Sequence, residues 1–482
     1  MSDLIAKQTQ HEDGNRVTDG TAQPPARLPD AVASPSSELL GRTRTACVWG
    51  LGYIGWSTVE ALRAEKINVV GYDVSADRVA FLKDQEEPGL LRVTDDRDLA
   101  LGDDIAVHFI CVPTERQAEP YSEALLDVFV SIVRATASRP RSGPPPLVII
   151  ESTLTPGTVA QLLLPQAIDA GLIPDQDLLL ALAPRRDWFL SEGYGLRDLD
   201  RVYGGVGETS ADAAYDVLSL VCDTLHRAQG HVEAELVKCV ENSYRHLEIT
   251  LANQLTLGYP HVDMVEVLRL AGTKWNIGTY HPSFGTGGYC IPLSSRYLLS
   301  GAARPEELSL LSQAVDTDMR MRSLVATAVG GGPVLILGVA YKGGIKVATL
   351  SPTIRIAEEL HRLGVPFSVH DPMYTDEEIE ALLGAGTVTK DLAAAVRGAD
   401  TVLIVPDHPE FRGDPYLELL TERRESPLLI LDNHGVLEDH PSWPEWVTYR
   451  RAGNPLWLDT DAVRAPVGRG LPSGALVEKD LV

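Results

Sequence analysis

The sequence predicts an α/β protein: two doubly wound, Rossmann-like parallel-sheet domains joined by a long central helix. Three observations predict it. Short, almost continuously apolar strands alternate with helical patterns twice, from Thr45 and again from Pro333, as parallel strands covered on both faces do. The run Gly50-Leu51-Gly52-Tyr53-Ile54-Gly55 stands between the first strand and the first helix. Between the two patterns, Ala234 to Leu257 has no Gly or Pro, and Leu236, Val240, Leu247, Leu251 and Leu255 recur at helical spacing.

Taken in order, residues 1–42 are rich in Ser, Pro, Ala, Asp and Gln without periodicity, and are expected to be a disordered leader. Residues 43–232 form the first α/β domain, with strands at Thr45–Trp49, Ile67–Tyr72, Ile105–Val112, Leu147–Ile150 and Leu178–Ala181 and a helix over Trp56–Lys66. Residues 233–328 are a helical middle, whose long helix is expected to join the lobes and form a dimer interface. Residues 329–455 form the second α/β domain. Its strands are expected near Pro333–Ala340, Val365–Asp371, Thr401–Val405 and Leu428–Asp432, with a helix over Ile354–Leu363. Residues 456–482 are expected to be a loose tail.

A formal net charge of −25 repels nucleic acid and anionic membranes, so neither is expected as a partner. A phosphate-bearing ligand would need local cations and backbone N–H groups to overcome that field. No apolar run approaches the ~18 residues that span a bilayer, and the polar start after Met1 does not read as a secretory signal. Cys47, Cys111, Cys222, Cys239 and Cys290 are scattered without CxxC spacing. That pattern points to reduced thiols in a cytoplasm rather than to a disulfide frame or a metal site.

Four constellations carry chemistry. In the first glycine run, Gly50 makes the tight turn, Gly52 lets backbone approach a pyrophosphate and Gly55 lets helix and strand pack closely. The helix N-terminus adds free N–H groups. Asp73 falls 18 residues after Gly55, at the end of the next strand. A carboxylate there accepts from a ribose 2′-OH and repels a 2′-phosphate, which selects NAD. Second, Lys238 and Asn242 are i and i+4 and share a helix face, where both can point at an oxygen that becomes negative; an ordinary solvated face is the alternative. Third, Glu151-Ser152-Thr153-Leu154-Thr155-Pro156-Gly157 puts hydroxyls at the C-terminal edge of the sheet, as ligand contacts or as a helix cap. Fourth, Cys290 follows Gly285, Gly287 and Gly288 in a loop flanked by Pro282 and Pro292. Those glycines would let another molecule approach, making Cys290 a candidate nucleophile.

Taken together, these residues resemble the UDP-glucose/GDP-mannose dehydrogenase family, the nucleotide-sugar 6-dehydrogenases, as an atypical member. The resemblance runs from residue 45 to about 440. It includes Glu87-Pro88-Gly89-Leu90, Val112-Pro113-Thr114, the Lys238/Asn242 helix, Gly287-Gly288-Tyr289-Cys290, Leu337-Gly338-Val339-Ala340-Tyr341-Lys342, Ser351-Pro352 and His370-Asp371-Pro372. It implies oxidation of a sugar C6 alcohol to a carboxylate with reduction of two NAD, through a thiohemiacetal and then a thioester on Cys290. Lys238 and Asn242 would stabilise the oxygen at C6, and Thr153 would hold a water. NAD would lie on Gly50, Gly52, Tyr53, Ile54, Gly55, Asp73, Arg78, Val112, Pro113, Thr114 and Ser152. The nucleotide sugar would meet Arg185, Arg186, Tyr280, Phe284, Gly285, Gly287, Gly288 and Lys342. A homodimer built on the long helix is implied as well.

The chain departs from the family's pattern at positions that would face ligand. The Asp expected four residues after the cysteine is Ser294, and the Glu of the Pro-Glu motif is Arg185. Arginine stays protonated and cannot serve as a base, so Asp187 or Glu192 would have to substitute. Three expected arginines are Asn276, Thr349 and His434. Losing Glu and Asp together should impair thioester hydrolysis, and losing arginines should alter substrate fit. Two alternatives therefore stay open. One is a related dehydrogenase of a nucleoside or modified sugar in specialised metabolism, with a version of it that stops before acid release. The other is a non-catalytic regulatory homologue.

Overall fold

A computed structural model describes residues 34–140, 144–186, 194–440 and 442–458. The described chain forms two compact units: residues 34–247 with 289–315, and residues 248–288 with 316–458. Residues 233–328 do not stand apart as a third unit; they are shared between the two.

The N-terminal unit opens with helix α1 (Pro35–Leu40), capped by Ser34 with proline in its first turn. This helix lies inside the stretch assigned by composition to the leader. It is ordered because Leu39 is fully buried in the core and Glu38 pairs with Arg44 at 3.0 Å. The main sheet comprises β1 (Thr45–Trp49), β2 (Val69–Tyr72), β3 (Leu91–Thr94), β4 (Ile105–Ile110), β5 (Leu147–Ile150), β6 (Leu179–Leu182), β7 (Arg201–Gly205) and β8 (Leu225–Arg227). Their order is β8-β7-β6-β5-β4-β1-β2-β3, parallel except between β6 and β7. The central strands β4, β5 and β6 are buried along their whole length, as expected for strands covered on both faces. Helix α2 (Tyr53–Ala64) starts directly at the glycine turn, three residues earlier than the apolar pattern indicated.

The C-terminal unit holds a parallel sheet of β9 (Val334–Leu337), β10 (Phe367–His370), β11 (Thr401–Ile404), β12 (Leu428–Asp432) and β13 (Val447–Arg451), ordered β10-β9-β11-β12-β13. The two expected doubly wound sheets are thus present. Helix α3 (His231–Gly258) runs through the boundary between the units, as does α5 (Ser309–Ala328); between them α4 (Ile291–Gly301) belongs to the first unit. Helix α6 (Pro352–Leu363) has local stop signs at both ends: Ser351 caps it, Pro352 opens it and Gly364 closes it at φ 69°. Trp457, placed by composition in the tail, is buried and stacks on Phe284 with centroids 5.6 Å apart. Residues from Gly468 onward, also assigned to the tail, lie outside the described residues.

Candidate active site

Three glycines of the first turn are required for different reasons. Gly50 has φ +87°, and a Cβ there would lie 2.9 Å from the Cys111 carbonyl oxygen. A Cβ on Gly55 would strike the Gly50 carbonyl oxygen. Gly52 differs: its φ of −65° suits any residue, and among the described residues nothing lies within 4 Å of its Cβ position. No atom of the described residues demands glycine there, whereas a pyrophosphate laid against the start of α2 would. Asp73 accepts from Leu51 N at 2.7 Å and Ser75 N at 2.9 Å, and Arg78 Nε donates to the Leu51 carbonyl at 2.7 Å. Tyr53 is exposed and Ile54 half-buried. The neighbouring strand ends interlock. Ser152 Oγ donates to the Val112 carbonyl at 2.7 Å, and Thr114 Oγ1 to the Thr153 carbonyl at 2.6 Å, while Val112, Pro113 and Thr153 stay partly open to solvent.

Cys290 is the exposed thiol among the five cysteines and is the N-cap residue of α4. Asn242 Nδ2 donates to Ser294 Oγ at 2.9 Å, and Ser294 Oγ donates to the Cys290 carbonyl at 2.7 Å. Ser294, where an aspartate was expected, therefore links the long helix to the cysteine. One turn along, His246 Nδ1 meets Ser295 Oγ at 2.9 Å, which donates to Ser243 Oγ at 3.3 Å. Lys238, half-buried, lies one turn before Asn242. Cys239 next to it is buried, and burial pushes its thiol up to about 12, so it stays a thiol. Glu235 on the same helix, unremarked in the sequence, accepts from Gly157 N at 2.7 Å and Val159 N at 2.9 Å. It fastens the turn that follows Thr153. A carboxylate one turn ahead of Lys238 was the available signal.

Arg185, expected to meet the substrate, is buried in the first unit instead of lying at the surface. Its side chain is 3% exposed and pairs with Glu151 at 3.2 Å. Arg201, also buried, pairs with the other Glu151 oxygen at 2.5 Å. Thr58 Oγ1 and Cys111 Sγ donate to the same carboxylate. Burial alone would raise Glu151, but Arg201, Arg185 and Thr58 hold it down at about 2. Arg186 stays partly exposed and pairs with Glu241 at 2.7 Å, beside Asn242. Asp187 and Glu192, the candidate replacement bases, lie outside the described residues.

The loop before the cysteine is tied into the C-terminal unit. Asn253 Oδ1 accepts from Ser283 N at 2.8 Å, Asn433 Oδ1 from Phe284 N at 2.7 Å, and Asp318 Oδ1 from Thr286 N at 2.5 Å. Phe284 is fully buried in that unit's core, so it does not face a ligand as expected. Gly285, buried at φ +136°, packs under Arg322 and Asp318. Cβ atoms on Gly287 and Gly288 would meet Tyr341 at 2.7 and 3.0 Å. The chain's own packing is thus sufficient reason for glycine at these three positions. Tyr280 and Lys342 are half-buried; Lys342 follows β9, and although burial would raise the Asp407 carboxyl, His434, backbone donors and Lys342 together hold it below the usual carboxylate range.

The first unit is a dinucleotide-binding α/β domain with an open pyrophosphate turn, and it carries an exposed thiol held beside an amide. Comparisons extend this. Three models of the UDP-glucose/GDP-mannose dehydrogenase family match: the NAD binding domain at 44–219, the central domain at 232–320 and the UDP binding domain at 335–439. The chain belongs to this family and is an NAD-dependent oxidoreductase. It is 27% identical over 429 residues to a UDP-N-acetyl-D-mannosamine dehydrogenase of Pyrococcus horikoshii, covering 82% of this chain and 96% of that one. A Methanocaldococcus jannaschii protein of the same name is 28% identical over 400 residues, 77% of this chain and 87% of its own. The solved P. horikoshii UDP-D-ManNAc dehydrogenase superposes with a TM-score of 0.72 at 26% identity, covering 86% of this chain and all of that one. A UDP-glucose dehydrogenase from Pyrobaculum islandicum shares the fold, with a TM-score of 0.71 at 22% identity, over 89% of this chain and 100% of its own.

Proposed function

We propose that the chain oxidises the C6 alcohol of a UDP-hexose or UDP-N-acetylhexosamine to the carboxylate, with Cys290 as nucleophile. The observation that carries this is the exposed Cys290 at the head of α4, tied through Ser294 to Asn242 one turn from Lys238. The relatives named UDP-N-acetyl-D-mannosamine dehydrogenase favour the N-acetylhexosamine. NAD would rest on the Gly50–Gly55 turn, where open Gly52 fits it, and supplies the acceptor for both hydrides removed from C6. Lys238 and Asn242 bear on the C6 oxygen and offset its developing charge. Cys290 sulfur bonds to the aldehyde carbon while its proton passes to the aldehyde oxygen, giving the thiohemiacetal. After the second oxidation, water held at Thr153 adds to the thioester; the C–S bond breaks, the thiol is restored and the acid leaves. The positions of the usual acidic helpers hold Arg185 and Ser294, so this release is the slow step.

A panel of UDP- and GDP-sugars tests the reading, with NADH followed by absorbance and Cys290 by mass spectrometry. Two NADH per acid are expected, with a C6 acyl adduct on Cys290 during turnover and no acid from Cys290→Ser. No NADH with any nucleotide sugar, from protein that binds NAD, sinks it. Asn276, exposed where the family carries arginine, favours a second reading in which a nucleoside or modified sugar is the substrate; the same panel extended to those compounds separates the two. The reading includes a cytoplasmic enzyme, consistent with five unpaired cysteines. It also includes a homodimer, because Val240, Tyr244 and Leu251 form one stripe of α3 and are 39%, 66% and 56% exposed. Sedimentation showing a monomer at micromolar concentration removes the dimer.

A further inference from the structure

We infer that Arg185 is a positioning residue for the dinucleotide, taking on a task opposite to that of the acid expected in its place. Its guanidinium is spread over the start of α2. Nη1 donates to Thr58 Oγ1 at 2.5 Å and to the Ile54 carbonyl at 3.3 Å, and Nη2 donates to Ser57 Oγ at 2.6 Å. The same Nη1 also donates to Glu151 Oε2 at 3.2 Å, just past the end of β5. Thr58 closes the triangle by donating to Glu151 at 2.5 Å. Ile54, Ser57 and Thr58 belong to the opening turns of the helix whose free N–H groups border the open space above Gly52. The fork therefore ties the pyrophosphate-receiving end of α2 to the sheet edge that carries Ser152 and Thr153.

The second argument is electrostatic. Arg185 and Arg201 are both buried against the Glu151 carboxylate, which sets two guanidinium groups behind the turn. Among the described residues, Arg201 Nη1 is buried without a hydrogen-bond partner. A buried cation behind a phosphate-binding turn favours a pyrophosphate on a chain whose net charge is −25. A carboxylate at 185 would supply neither the fork nor the charge. Lysine would keep the charge but offers a single point donor in place of a planar fork.

This rests on the Gly50–Gly55 turn being the NAD site, and the experiment separates the two. NAD affinity is measured by calorimetry on full-length Arg185→Met, Arg185→Lys, Ser57→Ala and Gly52→Val, with KM for the nucleotide sugar alongside. Expected are an about tenfold weaker NAD affinity in Arg185→Met, on the scale of one misplaced hydrogen bond, and a smaller loss in Arg185→Lys. The nucleotide-sugar KM stays within about twofold, since only the cofactor's seat has moved. Ser57→Ala, which leaves the Arg185–Glu151 and Arg201–Glu151 pairs in place, is expected to weaken NAD about threefold on the same scale and serves should Arg185→Met not fold. NAD affinity unchanged in Ser57→Ala and the folded Arg185 variants, with Gly52→Val no longer binding NAD, overturns the role of Arg185 alone. A rise in the nucleotide-sugar KM without a change in NAD affinity overturns it too. NAD binding retained by Gly52→Val overturns both.

Discussion

The first turns of the two sheets begin alike. After β1, Gly50 turns at φ +87° and donates to the Tyr72 carbonyl at 2.8 Å; after β9, Gly338 turns at φ +101° and donates to the His370 carbonyl at 2.7 Å. In each, an aspartate ending the next strand accepts from the following backbone: Asp73 from Leu51 N at 2.7 Å, Asp371 from Val339 N at 2.6 Å. There the likeness ends. In the first unit the helix starts at Tyr53 and leaves Gly52 facing open space. In the second, Ala340 is buried, Asp371 is sealed by His408 at 3.2 Å, and the helix waits until Pro352. Thr353 then donates to the Gly338 carbonyl at 2.7 Å and plugs the turn. One strand-turn plan therefore gives a phosphate seat or a closed joint, according to how soon the helix starts.

The largest test of that contrast is a bulky residue in each turn. Gly52→Val should weaken NAD binding at least about a hundredfold, roughly 2.7 kcal/mol, while the melting temperature stays within a few degrees. Gly338→Val should do the reverse. A Cβ there strikes Pro406 at a φ hostile to valine, so the melting temperature should fall by about 5 °C or more with NAD affinity kept. If both variants lose NAD alone, the contrast is wrong. Asp371→Asn comes next: it leaves backbone donors and His408 facing an amide, and should cost about 1–3 kcal/mol of unfolding free energy in urea titration. Asp73→Asn should lose less stability and relax the preference for NAD over NADP. A third measurement uses acid. Burial would raise both carboxylates, but Glu151 is held at about 2 by Arg201 and Arg185, and Asp371 is lowered by His408 and backbone donors. In the unfolded chain carboxyls of these types take protons near 4. Their contributions are thus complete above about pH 5 and drain as pH falls through the native values, for Glu151 between about 4 and 2. Glu151→Gln should flatten the acid limb of a urea-midpoint profile; an unchanged limb removes the claim. The smallest effect is expected from Ser294→Asp, which restores an acid next to Asn242: acid release should rise by about threefold or less, as one added base would give with its partner Glu still missing.

What the sequence made legible was local. The Gly50–Gly55 motif, Asp73 and the Lys238/Asn242 spacing each lie within one or two elements, so their geometry follows from strand and helix periods. The misreadings were long-range. Gly287 and Gly288 looked like room for a ligand, yet the atoms that need the room belong to Tyr341, more than fifty residues on. Phe284 looked like a wall of the site, but Trp457, in a stretch with no pattern of its own, draws it into the core. Arg185 looked like a surface cation because its partners, Glu151 and Thr58, are 34 and 127 residues away. Leu39 gave the hidden helix its anchor, but a lone leucine among polar residues carries no period. In each case the deciding contact was tertiary and left no trace in local spacing.

The Glu151 cluster also constrains which changes this chain accepts. An acid introduced at 185 by a single substitution would lose the donors now given to Ile54, Ser57 and Thr58 and would bring a second carboxylate towards Glu151 in the interior. Two like charges buried together are strongly disfavoured. An acid at 185 therefore calls for a coordinated change at Thr58, Glu151 or Arg201, and a gain in hydrolysis would more readily come from elsewhere in the fold.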